Sequence, residues 1–230
     1  MIYFTGDIHG DAERVSKNAL SMMKPGDTLI ICGDFGFLWD NTKQEKKTLK
    51  ALSRRRYNIC FVDGTHENFD ILNSYPVVAW NGGQTHQISD NIYHLMRGQL
   101  FTIEDKTIFT MGGGEDPELE LDEDDDVTLH REIPTSQELM SGIGAMESCR
   151  YKVDYIVTHE PPAKTRDFLL LSSNKSLRVT SLGAYFDALT QQAHYSKWFF
   201  GSMHLDRFIS GNQIALFRNI VAARSAERRE

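Results

Sequence analysis

Apolar residues in this chain come in short dense runs, and each run stops abruptly at a glycine or a polar cluster. The first, residues 2–5 (IYFT), meets Gly6-Asp7-Ile8-His9-Gly10-Asp11. Others are residues 28–32 (TLIIC), 58–62 (NICFV), 151–158 (YKVDYIVT), 198–200 (WFF) and 214–217. Runs of this length, bounded by turn residues, read as buried strands. Between them the pattern changes to helical spacing. Residues 11–23 place Val15, Ala19, Leu20 and Met23 on one side. Residues 41–56 form a charged helix with Leu49 and Leu52 as its obvious apolar positions. Residues 136–149, with Ser136 as a cap, and 181–195, with Leu182, Tyr185, Phe186 and Leu189 inward, complete the helical set. Strands separated by helices predict βαβ units and a parallel sheet.

The middle of the chain reads differently. A short helix and a proline lead through residues 71–78 to a turn at Asn81-Gly82-Gly83. Residues 92–96, 100–104 and 107–111 then follow as antiparallel strands, with turns at Arg97-Gly98 and Asp105-Lys106. Residues 115–126 (EDPELELDEDDD) are nearly all acidic and read as a solvated loop. Residues 169–180 carry no clear pattern.

The 230 residues form one domain over 1–221 with a charged tail over 222–230. A net charge of −7 gives no basic field for a nucleic-acid backbone, so no dedicated nucleic-acid binding is expected. A small phosphorylated substrate remains compatible. Cys32, Cys60 and Cys149 are odd in number and widely spaced, and no C-x-x-C pair occurs. No signal segment and no run of membrane length is visible, which predicts a cytoplasmic protein. Oligomeric state is left open.

Candidate chemistry sits where the strands end. Asp7 and His9, one residue apart, can point the same way from extended backbone. Asp34, the Thr65-His66-Glu67 stretch and His159 follow later runs, and Ser202-Met203-His204 follows the run at 198–200. Carboxylate with imidazole suits a divalent transition metal. His86 and His94 read as ordinary structural or surface histidines. Arg97 and the Arg54-Arg55-Arg56 run are the nearest candidates for phosphate contact.

Taken in order, Asp7-x-His9, Gly33-Asp34, Gly64-Thr65-His66-Glu67, Thr158-His159 and Gly201-Ser202-Met203-His204 resemble the signature of the calcineurin-like metallophosphoesterase superfamily. That signature reads D-x-H, G-D, G-N-H-[DE], [GT]-H and G-H-x-H. The resemblance implies a four-layer α/β/β/α sandwich of two mixed sheets flanked by helices. It implies that Asp7, His9, Asp34 and His204 bind a first metal, and that Asp34 and His159 serve a second. It implies that His66 acts as general acid or stabilises charge on the phosphoryl group. The activity implied is phosphate mono- or diester hydrolysis by metal-activated water, with Mn, Fe or Zn as cofactor. Two positions depart from the signature: Thr65 stands for Asn and Ser202 for His, both second-metal ligands. One tight site and a weak or empty second site are therefore expected. Phe37 also stands where many relatives have an Asp that orients the catalytic His, a role that Asp63 or Glu67 could assume. The alternative is a catalytically inactive relative that binds a nucleotide, a metal or a protein.

Overall fold

The computed structural model of the protein describes residues 1–115, 130–171, 178–209 and 211–227. Among the described residues the strands assemble into a seven-stranded and a six-stranded sheet. The first is ordered β13-β1-β2-β3-β6-β5-β4. Its centre is β1 (Ile2–Thr5), β2 (Thr28–Cys32), β3 (Asn58–Val62) and β6 (Ile92–Leu95), all parallel. Antiparallel β5 (Gly83–Ser89) and β4 (Val77–Trp80) extend one edge, and β13 (Val221–Ala222) the other. The second sheet is ordered β11-β12-β10-β9-β8-β7. Here β8 (Lys106–Met111), β9 (Tyr155–Thr158), β10 (Lys197–Phe200) and β12 (Gln213–Ala215) are parallel. Antiparallel β7 (Gln99–Ile103) and β11 (Arg207–Ile209) close its edges.

Side-chain alternation separates three cores. Ile30, Cys32, Cys60 and Val62 face Ile108, Tyr155, Val157 and Phe199 between the sheets. There the Phe4 ring stacks on Phe199 at 3.7 Å and meets Tyr155 edge-on. The opposite residues of β2 and β3, namely Leu29, Ile31, Ile59 and Phe61, pack against Val15, Leu20 and Leu52. Leu52 ends α1 (Lys43–Leu52). On the far side Phe109, Ile156, Trp198 and Phe200 pack against Met146 of α3 (Ser136–Ser148) and Leu182, Phe186 and Leu189 of α5 (Ser181–Gln192). Strands buried on both faces need apolar residues at odd and even positions alike, which is why they read as unbroken runs. The expected sandwich of two mixed sheets is present.

Several local expectations are corrected. Residues 92–96, read as antiparallel to 100–104, form β6 in the first sheet, parallel to β3, while β7 and β8 pair antiparallel in the second sheet. Residues 11–23 form successive turns, held by bonds such as Arg14 N–H to Asp11 O and Met23 N–H to Leu20 O. Asp11 Oδ1 accepts from the Glu13 N–H and Ser16 Oγ from the Ala19 N–H. Such side-chain capture competes with a helical ladder. Val15 and Leu20 are still buried, so the spacing identified the inward face but not the backbone. The cap of α3 is Thr135, in a reciprocal capping box with Glu138, and Ser136 is the first helical residue. A helix also forms at α4 (Ala163–Leu170). Residues expected as a charged tail from 222 continue β13 into α6 (Ala223–Glu227), whose Ala223 and Ala226 are buried. The acidic loop, Glu115 apart, lies outside the described residues.

Candidate metal centre

Parallel strands deliver their carboxyl ends to one edge, and the loops that follow carry the polar residues. The loop after β1 docks on the loop after β2: Ile8 and His9 N–H both donate to Asp34 O, at 3.0 and 2.8 Å. The result is a tight cluster. Ligand atoms of Asp7, His9 and His204 lie within 4.8 Å of one another, as do those of Asp7, Asp34 and His159. His9 Nε2 is 3.0 Å from His204 Nε2, and His204 Nε2 is 3.1 Å from Asp7 Oδ2. His9 Nε2 is 3.7 Å from Asp34 Oδ2, and His159 Nε2 is 3.8 Å from the same oxygen.

The residues around this cluster are held in strained backbone. His9, Asp34, Ser202 and His204 have φ of 49°, 48°, 61° and 49°. Non-glycine residues there cost on the order of 1 kcal/mol each and persist where the surroundings impose them. Glycines give the ligands room. A Cβ on Gly64 would lie 2.1 Å from Asp34 Oδ1, and one on Gly201 the same distance from Asp7 Oδ1.

Electrostatics fit a cation. Asp7 is fully buried and Asp34 nearly so. Among the described residues their ion pairs are all with imidazoles, of His9, His66, His159 and His204. Buried carboxylates without a permanent cationic partner are costly, and a divalent metal removes that cost. Burial pushes the Asp7 carboxyl up, only partly opposed by His159. Burial also acts on Asp34, but His159, the His66 N–H and the His66 ring outweigh it, and its pKa ends low. His159, disfavoured as a cation by burial, is nonetheless raised by Asp34 and Asp7. His9 is lowered by burial. The His159 tautomer is set from behind: Nδ1 donates to Cys32 O at 3.1 Å, which leaves the Nε2 lone pair facing Asp34.

A family model described as calcineurin-like phosphoesterase matches residues 1–217. The chain belongs to that family. No curated protein matches it. Among solved structures it is similar to the phosphopantetheinyl hydrolase from Mycobacterium tuberculosis, with 15% identity and a TM-score of 0.43. That alignment covers 100% of this chain and 92% of the other.

Within this family member, Asp7, His9, Asp34, His159 and His204 come together as sequence reasoning expected, and His66 stands beside them. The His66 ring is two-thirds exposed, with Nδ1 3.1 Å from Asp34 Oδ2, and the His66 backbone N–H donates to Asp34 Oδ1. Thr65 Oγ1 lies 3.0 Å from His66 Nδ1, and the Ser202 N–H donates to both Asp7 oxygens. Three expectations change. Arg97 does not serve as a free phosphate contact, because its guanidinium is committed to Asp63 and Glu138. Arg54-Arg55-Arg56 precede β3 and so lie at the opposite end of the sheet from the cluster. Neither Asp63 nor Glu67 bonds the His66 ring: Asp63 pairs with His94 and Arg97, and Glu67 accepts the Phe35 N–H. Phe37 is buried against Phe35. Sequence reasoning missed the Cys32 carbonyl, the Ser202 N–H and Phe217, whose ring stacks on His204 at 4.7 Å. Two of these are backbone groups, for which side-chain patterns carry no signal.

Proposed function

We propose that the protein hydrolyses a small phosphate mono- or diester at this rim, using one tightly held transition metal of the Mn, Fe or Zn class. The supporting observation is the pair of buried carboxylates, Asp7 and Asp34, whose ion-pair partners among the described residues are all imidazoles. Asp7, His9, Asp34 and His204 would hold the metal. When bound, it supplies a Lewis acid and water that ionises near neutral pH. The protein supplies the rest. Asp7 and Asp34 balance the cation's charge, Cys32 O keeps His159 in the ligating tautomer, and exposed His66 reaches a phosphoryl or leaving-group oxygen.

The second site is weaker in this reading. Asp34 and His159 remain, but Thr65 and Ser202 offer hydroxyls in place of an amide oxygen and an imidazole. The Thr65 hydroxyl also faces His66. A hydroxyl is shorter than imidazole and a poorer donor to such metals. The cytoplasmic assignment is carried forward with this proposal, consistent with unbridged Cys32, Cys60 and Cys149. No helix among the described residues is long and apolar enough to cross a membrane.

Metal content by elemental analysis should be close to one per chain, and bis-p-nitrophenyl phosphate should turn over with Mn²⁺. His66→Ala should slow that reaction by roughly 10²–10⁴-fold, the usual worth of general acid catalysis. Metal binding without turnover on any ester would select the inactive binding protein instead. Restoring Thr65→Asn with Ser202→His should raise both second-metal occupancy and rate.

A further inference from the structure

Phe37 is buried against Phe35, and among the described residues the His66 ring meets Thr65 and Asp34, with the His9 ring edge-on at 5.5 Å. Asp34 is also a metal ligand in the proposed reading, so its oxygen is a shared support. The backbone on either side of His66 is anchored more heavily. Before it, fully buried Asp63 receives the Arg97 fork at Oδ2, from Nε at 2.9 Å and Nη2 at 2.6 Å. Its Oδ1 accepts from His94 Nε2 at 3.0 Å, and its carbonyl accepts the Gly113 N–H, just after β8, at 2.8 Å. After His66, buried Glu67 accepts the Phe35 N–H at 2.7 Å.

Arg97 then reaches past the loop. Its guanidinium sits 5.5 Å from the centre of the Phe69 ring, three residues after His66. It also donates to Glu138 Oε2, Arg131 O and Glu132 O. One planar cation therefore touches the chain just before and just after the histidine. His94 is itself backed by His86, Nδ1 to Nδ1 at 2.9 Å.

We infer that the buried Arg97–Asp63–His94 junction is a positioning device for His66, holding its loop from behind while Asp34 meets its ring. The inference rests on the proposed role of His66. The planar set of Arg97 donors, two on Asp63 Oδ2 and others on Glu138 and the 131–132 carbonyls, is central to it, and a lysine keeps the charge but not that geometry. A shift of about 1 Å at a catalytic group can cost on the order of a hundredfold in rate.

Arg97→Lys and His94→Leu test it in the full-length protein with Mn²⁺ and bis-p-nitrophenyl phosphate. Each should lower kcat roughly tenfold or more, within the cost of misplacement. KM and Mn²⁺ affinity should stay near wild type. In a His66→Ala background the same substitutions should lower kcat no further, since the group they position is gone. An equal loss in both backgrounds overturns the inference and leaves the junction a general stabiliser. Wild-type kcat in a folded variant also overturns it. If Arg97→Lys does not fold, the His94→Leu cycle decides alone. If the parent itself shows no turnover, the proposed function fails separately. The ¹⁵N-histidine NMR signal of His66 then decides, moved in the variants if the junction positions the ring and unmoved if it does not.

Discussion

Gly64 shows how little space the centre leaves. Its hydrogen faces Asp34 Oδ1 at a distance where a methyl group cannot sit. Gly64→Ala should therefore displace a ligand before it unfolds the protein. Mn²⁺ affinity by calorimetric titration should fall roughly 10–100-fold, as when a ligand's supporting contacts are disturbed. An unchanged affinity would show that Asp34 is not held where the cation sits. His9, Asp34, Ser202 and His204 around it have positive φ. Their identity as candidates was legible in the motif order, because Asp and His at strand ends are chemically conspicuous. Their conformation was not, because it is imposed by loops from other strands.

Among elements, the β5–β6 pair gains a role that its sequence conceals. His86 and His94 lie opposite each other in register and stack at 5.2 Å. Reading each alone, as an isolated histidine, lost the chain of contacts to Asp63. The His86 pKa is pushed down to about 4 by burial and by neighbouring His94, partly opposed by Asp63. A histidine with depressed folded-state pKa binds fewer protons folded than unfolded between that value and the usual 6.5. Its contribution to stability is full above pH 6.5 and is lost as pH falls towards 4. Urea midpoints should accordingly drop over this window, and drop less in His86→Phe. Parallel acid curves for the two proteins would count against it. The turns at 11–23 teach a second lesson at this scale. Periodicity reports which residues face inward, while Asp11 and Ser16 side chains decide the hydrogen bonding.

Across the whole molecule, loops from both sheets meet at the candidate metal centre. Phe4, stacked on Phe199, joins the sheets a few residues from Asp7 and His204. Phe4→Ala should cost about 3–5 kcal/mol in chemical unfolding, as expected for a buried aromatic. A smaller effect would mean the sheets repack. Metal should stabilise the native state by linkage. A hundredfold excess over Kd is worth about 2.7 kcal/mol. That corresponds to roughly 5–10 °C in Tm for a chain of this size, lost on chelation. A Tm indifferent to chelator would argue against the centre. The sequence by itself determined the buried runs that form β1, β2, β3, β9, β10 and β12 and the residues able to ligate, but not β4, β5, β11 and β13 or the pairing of β6. What it determined depends on short-range patterning and on side-chain chemistry written in the residues themselves. Tertiary structure alone decided that Arg97 serves Asp63 and that Cys32 O orients His159. It also decided that Asp34, rather than Asp63 or Glu67, meets the His66 ring. These partners lie tens of residues or more apart and meet only once the loops dock, through side chains and, for Cys32, a backbone carbonyl, which no local pattern encodes.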